Sequence, residues 1–129
     1  MKTLLCGATL IISFVLCTFG FSFGHSWMAP KEAAEMENPI EPSQQAISDG
    51  KEIFLDNCAV CHGNKAQGLS RKVTNLAYDT PNLIKSLKSH SEGDFFWKII
   101  NGREDMPSFK EDLTEDEIWQ VIHFLKSHK

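Results

Sequence analysis

The pentapeptide Cys58-Ala59-Val60-Cys61-His62 constrains this chain more than any other feature. Its C-x-x-C-H spacing is the signature of covalent c-type haem attachment. At the end of a helix, Cys58 and Cys61 stand about one turn apart on the same side, so each thiol can form a thioether with a haem vinyl group. His62 follows directly and turns its imidazole toward the iron. The motif therefore predicts one haem c, bound through Cys58 and Cys61, with His62 as an axial ligand.

Other uses of a C-x-x-C pair fit the sequence less well. Thioredoxin-like redox proteins place the pair near a βαβ pattern, and no stretch here alternates with a period of two long enough for a strand. Zinc sites need two further ligands at matching spacing, and no second C-x-x-C or H-x-x-x-H follows. The remaining two of the four cysteines, Cys6 and Cys17, lie in an N-terminal apolar run, which does not support a disulfide scaffold.

Residues 1–24 are typical of a signal peptide. Lys2 is followed by an apolar run over residues 3–23 that small and polar residues interrupt. The alternative is an uncleaved anchor, because about 20 residues are enough to span a bilayer. Both interpretations place the rest of the chain in the periplasm, in the second case tethered to the outer face of the cytoplasmic membrane.

The exported part divides into a lead-in and a domain. Residues 25–42 carry three prolines and four glutamates, which favours an extended lead-in or tether, and the domain is expected over residues 43–129. Helical periodicity and capping signals in the domain predict four helices: residues 46–57, a short one capped by Thr80 with Pro81 at its first position, one from Ser91 to Gly102, and one opened by a capping box of Thr114 and Glu117. The predicted fold is all-α, a small bundle of about four helices wrapped around the haem.

A second axial ligand is needed if the haem is to transfer electrons. Met106 lies in a loop after Gly102, and Pro107 restrains the backbone just beyond it. This setting favours Met106 as a thioether ligand, the alternative being a methionine that fills a gap in the core. The rival ligands are three histidines expected to be solvated: His90, His123 and His128.

These motifs together resemble the class I c-type cytochromes, in particular the short mono-haem bacterial ones, over residues 43–129. Gly50 and Phe54, ahead of the C-x-x-C-H motif, are similar to that family's first helix. The resemblance implies that the small Gly50 lets the last helix cross closely, where Phe124 or Trp119 packs.

Two further segments carry the same resemblance. Thr80-Pro81-Asn82-Leu83 is similar to the family's loop whose proline carbonyl accepts the ring N–H of the histidine ligand. The resemblance therefore implies that Pro81 orients His62. The segment around Met106 and Pro107 is similar to the loop that supplies the methionine ligand.

The resemblance implies an electron carrier. A haem ligated by both His62 and Met106 has no open position for a substrate, so we expect a monomeric one-electron shuttle between periplasmic or membrane-bound redox proteins, not an enzyme. The alternatives are an electron-entry subunit of a larger reductase or oxidase and a haem enzyme or sensor with a labile sixth ligand. A net charge of −4 without a basic tract argues against nucleic acid as a partner.

Charge placement predicts where such a partner docks. Lys65, Arg71 and Lys72 lie in a segment without acids, whereas residues 104–117 hold seven acids and one lysine. We interpret the basic segment as the flank of the exposed haem edge, which would steer an acidic surface. A solvated face without preference is the alternative.

Overall fold

The computed structural model describes residues 27–128, so the predicted signal peptide over residues 1–24 and the apolar run 3–23 lie outside the described residues. The described chain is helical and contains no strand, its one bridge joining Arg103 and Met106. Its helices are α1 (Lys31–Ala34), α2 (Gln44–Asn57), α3 (Ala59–His62), α4 (Arg71–Thr74), α5 (Leu83–Ser86), α6 (Glu92–Asn101) and α7 (Glu115–Lys126). The all-α prediction is confirmed, and the four predicted helices correspond to α2, α5, α6 and α7.

The crossing of α2 and α7 organises the fold. Gly50 lies where the two backbones meet, and a Cβ atom built there would be 1.9 Å from the Gln120 carbonyl oxygen. One turn further on, the rings of Phe54 and Phe124 pack with their centroids 5.2 Å apart. The close crossing expected at Gly50 is therefore confirmed, with Phe124 as the aromatic partner on α7.

Helix α6 covers the other side of α7. The ring of Phe96 stacks on Trp119 at a centroid distance of 4.1 Å, and both side chains are buried. Three apolar side chains of α7 are almost fully inaccessible to solvent: Ile118, Ile122 and Leu125. This apolar layer holds α6 against α7, and its Leu125 also lines the site described below.

Local hydrogen bonds begin most of the helices where the sequence predicts. Ser91 accepts a hydrogen bond from the Asp94 N–H at the start of α6, and Thr114 and Glu117 form a complete capping box at α7. The predicted cap of α5 is wrong. Asn82 caps that helix by accepting from the Lys85 N–H, because the Thr80 hydroxyl is engaged elsewhere.

The lead-in is docked on the domain, which corrects the expectation of an extended segment. It contains α1, and the carbonyl oxygen of Ala34 accepts a hydrogen bond of 2.6 Å from the Ser91 hydroxyl. Further along, the Asn38 amide donates to the Trp119 carbonyl at 3.1 Å. The polar, proline-containing composition of the lead-in predicts an extended segment. In the structure, the lead-in instead forms hydrogen bonds with Ser91, at the start of α6, and with Trp119 of α7. The domain boundary at residue 43 stays a prediction.

Within residues 27–128, none of the helices is both long and apolar enough to cross a membrane.

Candidate haem site

The C-x-x-C-H motif consists of Cys58, which caps the end of α2, and the short helix α3. Cys58 ends α2, and its carbonyl oxygen accepts from the N–H groups of both Cys61 (3.1 Å) and His62 (2.9 Å). This one-turn geometry keeps the two cysteines together. Both thiols are free and partly buried, and burial, followed by the neighbouring Cys61, raises the pKa of Cys58 to about 12.

His62 is buried at the end of α3. Its Nδ1 atom is shielded from solvent and has no hydrogen-bond partner among the described residues. Burial lowers the pKa of His62, while the nearby Pro81 backbone opposes that shift. The imidazole is therefore neutral at pH 7, which is the form that binds metal ions.

The loop that carries Pro81 is tied to the motif. The Thr80 hydroxyl donates to the Cys61 carbonyl at 2.6 Å and accepts from the Leu69 N–H at 2.8 Å. Gly68, with a positive φ of 80°, lets the chain pass so closely that a Cβ there would be 2.2 Å from the Thr80 carbonyl oxygen. These contacts explain why Thr80 is unavailable as a helix cap, and they hold Pro81 beside His62.

Met106 lies in the loop after α6, as predicted. Its N–H and carbonyl pair with the carbonyl and N–H of Arg103 at 2.9 and 2.8 Å, which closes a tight loop. At Gly102, which has a φ of 63°, a Cβ would be 2.5 Å from the Pro107 carbonyl carbon, so the chain can turn there only with glycine. The Asp105 carboxylate accepts from the Ala77 N–H at 3.1 Å and ties this loop to the opposite segment.

These groups line one cleft. It consists of two adjoining cavities of about 230 and 620 Å³, and Cys58, His62, Pro81 and Met106 line both. Cys61 lines the smaller one. The structure therefore brings all five predicted site residues together, although they are up to 48 positions apart in the chain (58 to 106).

The cleft suits a haem. Its volume and mostly apolar lining match a site for a large planar cofactor, with Phe54, Ile99 and Leu125 at its base. A buried histidine, two free thiols on one turn and a thioether side chain are the donor set that c-type haem requires.

Two of the three rival histidines differ from expectation. His123 is buried, not solvated, and its Nε2 atom lies 2.7 Å from the Ile40 carbonyl. His90 is also largely buried, and its Nδ1 atom lies 2.8 Å from the Asp94 carboxylate. His128 is exposed and its ring packs on Phe124. The sequence offered no sign that the lead-in would cover His123 or that Asp94 would face inward.

Sequence reasoning missed three contributors to the cleft. Trp27 lines both cavities, and Lys98 and His90 line the larger one. The Asp94 carboxylate, only 1% exposed, lies behind them and binds Lys98 at 2.6 Å. Burial alone would raise the pKa of Asp94, but hydrogen bonds from Lys98 and the Ala29 N–H, with the charges of Lys98 and His90, lower it overall. The available signal was Trp27, a large aromatic residue within a lead-in that is otherwise rich in proline and glutamate.

Comparison with known proteins decides the family. A family model described as cytochrome c oxidase, cbb3-type, subunit III matches residues 45–125. The chain belongs to this family of class I c-type cytochromes. Such a cytochrome carries covalently bound haem c and transfers electrons.

Three known proteins are similar to this chain. Cytochrome c6 of Diacronema lutheri is 29% identical over 84 residues, which cover 63% of this chain and 94% of that protein. The cbb3-type oxidase subunit FixP of Rhizobium meliloti is 32% identical, but the match covers 67% of this chain and only 29% of FixP. The structure of cytochrome cL from Methylophaga aminisulfidivorans shares the fold, with a TM-score of 0.51, 24% identity and coverage of 82% of this chain and 71% of that one.

Proposed function

We propose that this cytochrome is a one-electron carrier with His/Met ligation that moves electrons between redox proteins outside the cytoplasmic membrane. The observation that carries the proposal is that His62 and Met106 line the same apolar cleft as both free cysteines. In this assignment, Cys58 and Cys61 would attach the haem covalently, and His62 and Met106 would hold its iron. When bound, the haem supplies a metal centre that cycles between ferric and ferrous states.

The protein holds these ligands in place before any electron moves. The Pro81 carbonyl accepts the His62 ring N–H in this proposal, which fixes the tautomer and leaves the other nitrogen for iron. The paired backbone of Arg103 and Met106 restrains the methionine loop. Because both ligands sit on short, hydrogen-bonded turns, a change of oxidation state requires little rearrangement.

Export of the chain is part of the proposal. Thioether attachment fits an oxidising compartment, because it removes both cysteines from thiol–disulfide exchange. The signal segment is assigned to residues 1–24, and an anchor over residues 3–23 is the other outcome. Mass spectrometry of the mature protein distinguishes them, since cleavage removes the segment and anchoring retains it.

The absorption spectrum of the oxidised protein tests the ligation. We expect the weak far-red band that a methionine sulfur gives on ferric haem. Met106→Ala should abolish this band and leave haem attachment intact, because both cysteines remain. Met36→Ala is the matched control, since Met36 is exposed on the lead-in and lines neither of the two cavities of the cleft. Covalently bound haem without the band in the unmodified protein would contradict the His62/Met106 assignment.

A second candidate function is a subunit of a terminal oxidase or similar complex. The family match favours it, because the family description and FixP both name an oxidase subunit. The two functions differ in the state of the native protein. A haem-stained native gel of gently solubilised cells should show free monomer for a shuttle and a single large haem-containing band for a subunit.

A further inference from the structure

Part of the cleft wall comes from the lead-in, outside the region that the family model matches. Trp27 lines both cavities of the cleft, together with His62 and Met106. The family match covers residues 45–125 and so does not include Trp27. The family match therefore does not account for this part of the cleft wall.

The ring of Trp27 lies near two cations. The Lys98 ammonium is 5.4 Å from the ring centroid, and the Arg103 guanidinium carbon is 5.8 Å from it. Both distances are within the roughly 6 Å range of a cation–π interaction. Since Lys98 belongs to α6 and Arg103 to the methionine loop, the ring bridges the two.

Arg103 connects the Trp27 ring to the proposed ligand, Met106. Its N–H and carbonyl form the two backbone hydrogen bonds to Met106, at 2.8 and 2.9 Å. Only one residue therefore separates the Trp27 ring from the Met106 backbone. A displacement of Arg103 would move Met106 with it.

The lead-in is also held firmly against α6. The Ala29 N–H donates to the buried Asp94 carboxylate at 2.7 Å, and that carboxylate is itself fixed by Lys98. Gly93 of α6 lies so close to the backbone of the lead-in that a Cβ atom there would be 2.1 Å from the Ala33 carbonyl oxygen. These contacts determine where Trp27 lies.

We propose that residues 27–40 form a strap and that its Trp27 is a positioning residue for the axial methionine. The ring holds Arg103, and through it the Met106 loop, and it shields that part of the cleft from water and small ligands. The proposal rests on the His62/Met106 ligation proposed above. Without the strap, Met106 would leave the iron more often, and outside ligands would take its place.

Imidazole binding to the oxidised, haem-loaded protein tests the strap. Imidazole binds only when Met106 is displaced, so its apparent affinity reports the fraction of molecules with Met106 off. For Trp27→Ala we expect about tenfold tighter imidazole binding and a weaker far-red band. Trp27→Phe should recover much of the wild-type behaviour, because it keeps an aromatic face. Met28→Ala is the matched control, being adjacent and half exposed, and should leave both readouts unchanged.

Gly93→Ala provides an independent test that changes no residue lining the cleft. Its new methyl group displaces the strap from α6, while alanine itself is favourable in a helix. We expect the same change in imidazole affinity as in Trp27→Ala. If Trp27→Ala loads haem poorly, Gly93→Ala and Trp27→Phe decide the question.

The outcomes separate the two proposals. A wild-type spectrum without the far-red band overturns the His62/Met106 ligation itself. A wild-type spectrum with the band, together with wild-type imidazole affinity in both Trp27→Ala and Gly93→Ala, overturns the strap alone.

Discussion

At the scale of single residues, Gly50 determines how closely the two main helices approach. A Cβ atom there would be 1.9 Å from the Gln120 carbonyl oxygen and 2.3 Å from its carbonyl carbon, and both are backbone atoms that cannot rotate away. For Gly50→Ala we therefore expect the free energy of unfolding to fall by about 3 kcal/mol, toward the upper end of overpacking costs. Urea unfolding of the haem-loaded protein, followed by circular dichroism, measures the change.

Ser48→Ala is the control for that variant. Ser48 is exposed on the same helix, so its substitution should alter stability by no more than about 0.5 kcal/mol. Equal stability of the two variants would show that α2 and α7 can separate at little cost.

Asp94 has one contact that its local sequence predicts and others that it does not. Its position three after Ser91 predicts a capping partner, and the Asp94 N–H does bind the Ser91 hydroxyl at 3.1 Å. Its carboxylate, however, faces inward and binds Lys98, His90 and the Ala29 N–H. The backbone role and the pairing with Lys98 and His90, each four positions away, are compatible with local helical spacing. The hydrogen bond from Ala29 comes from 65 positions away, and no local pattern reveals it.

At the scale of helices, the start of α7 is a capping box whose strength is measurable. The Glu117 carboxylate accepts from both the N–H and the hydroxyl of Thr114 at 2.8 Å, and the hydroxyl accepts in turn from the Glu117 N–H. We expect Thr114→Ala to lower the free energy of unfolding by about 1 kcal/mol, because the first turn of α7 loses its cap. Thermal unfolding of the haem-loaded protein, compared with Ser48→Ala, measures the loss.

The same box makes stability depend on pH. The Thr114 N–H, and then its hydroxyl, lower the pKa of Glu117 below its ordinary 4.5. A carboxyl with a lowered folded-state pKa stabilises the fold above its unfolded pKa and stops doing so as the pH falls through the folded value. The stability of the wild type should therefore fall more steeply below pH 4.5 than that of Glu117→Gln.

Glu115→Gln removes a charge from the same turn of α7 without touching the box, and it should keep the wild-type steepness. Identical pH profiles for Glu117→Gln and the wild type would show that the box carries no charge-dependent stability.

Helices with caps and apolar faces were predictable, and the short ones were less so. The apolar residues of α7 recur at helical spacing behind Thr114, and α6 lies between Ser91 and Gly102 as expected. The start of α5 was misplaced because Thr80-Pro81 is a good local cap signal, yet the Thr80 hydroxyl binds the Cys61 carbonyl instead. A tertiary contact across 19 positions outweighed a local preference.

At the scale of the whole molecule, charge and exposed apolar side chains are unevenly placed. Lys65, Arg71 and Lys72 are exposed in the segment after the C-x-x-C-H motif, and Val60, which lines the cleft, is 75% exposed. If this face surrounds the haem edge, it attracts negatively charged oxidants.

Oxidation of the reduced protein by ferricyanide tests this arrangement. For Lys65→Glu and for Lys72→Glu, each made singly, we expect the second-order rate constant at low salt to fall by about threefold, with a flatter dependence on ionic strength. Lys110→Glu is the matched control, since Lys110 is exposed within the acidic stretch. If all three substitutions slow the reaction equally, only net charge matters and the basic segment has no directing role.

Because Trp27 lies in the cleft wall, whatever is fused ahead of it emerges beside the haem. An N-terminal polyhistidine tag would bring a string of imidazoles to the place where Met106 is proposed to bind. Spectra and titrations of such a fusion would then report the tag as much as the protein. His128, at the other end, packs on Phe124 and lines neither cavity of the cleft, so purification handles for this cytochrome belong at the C-terminus.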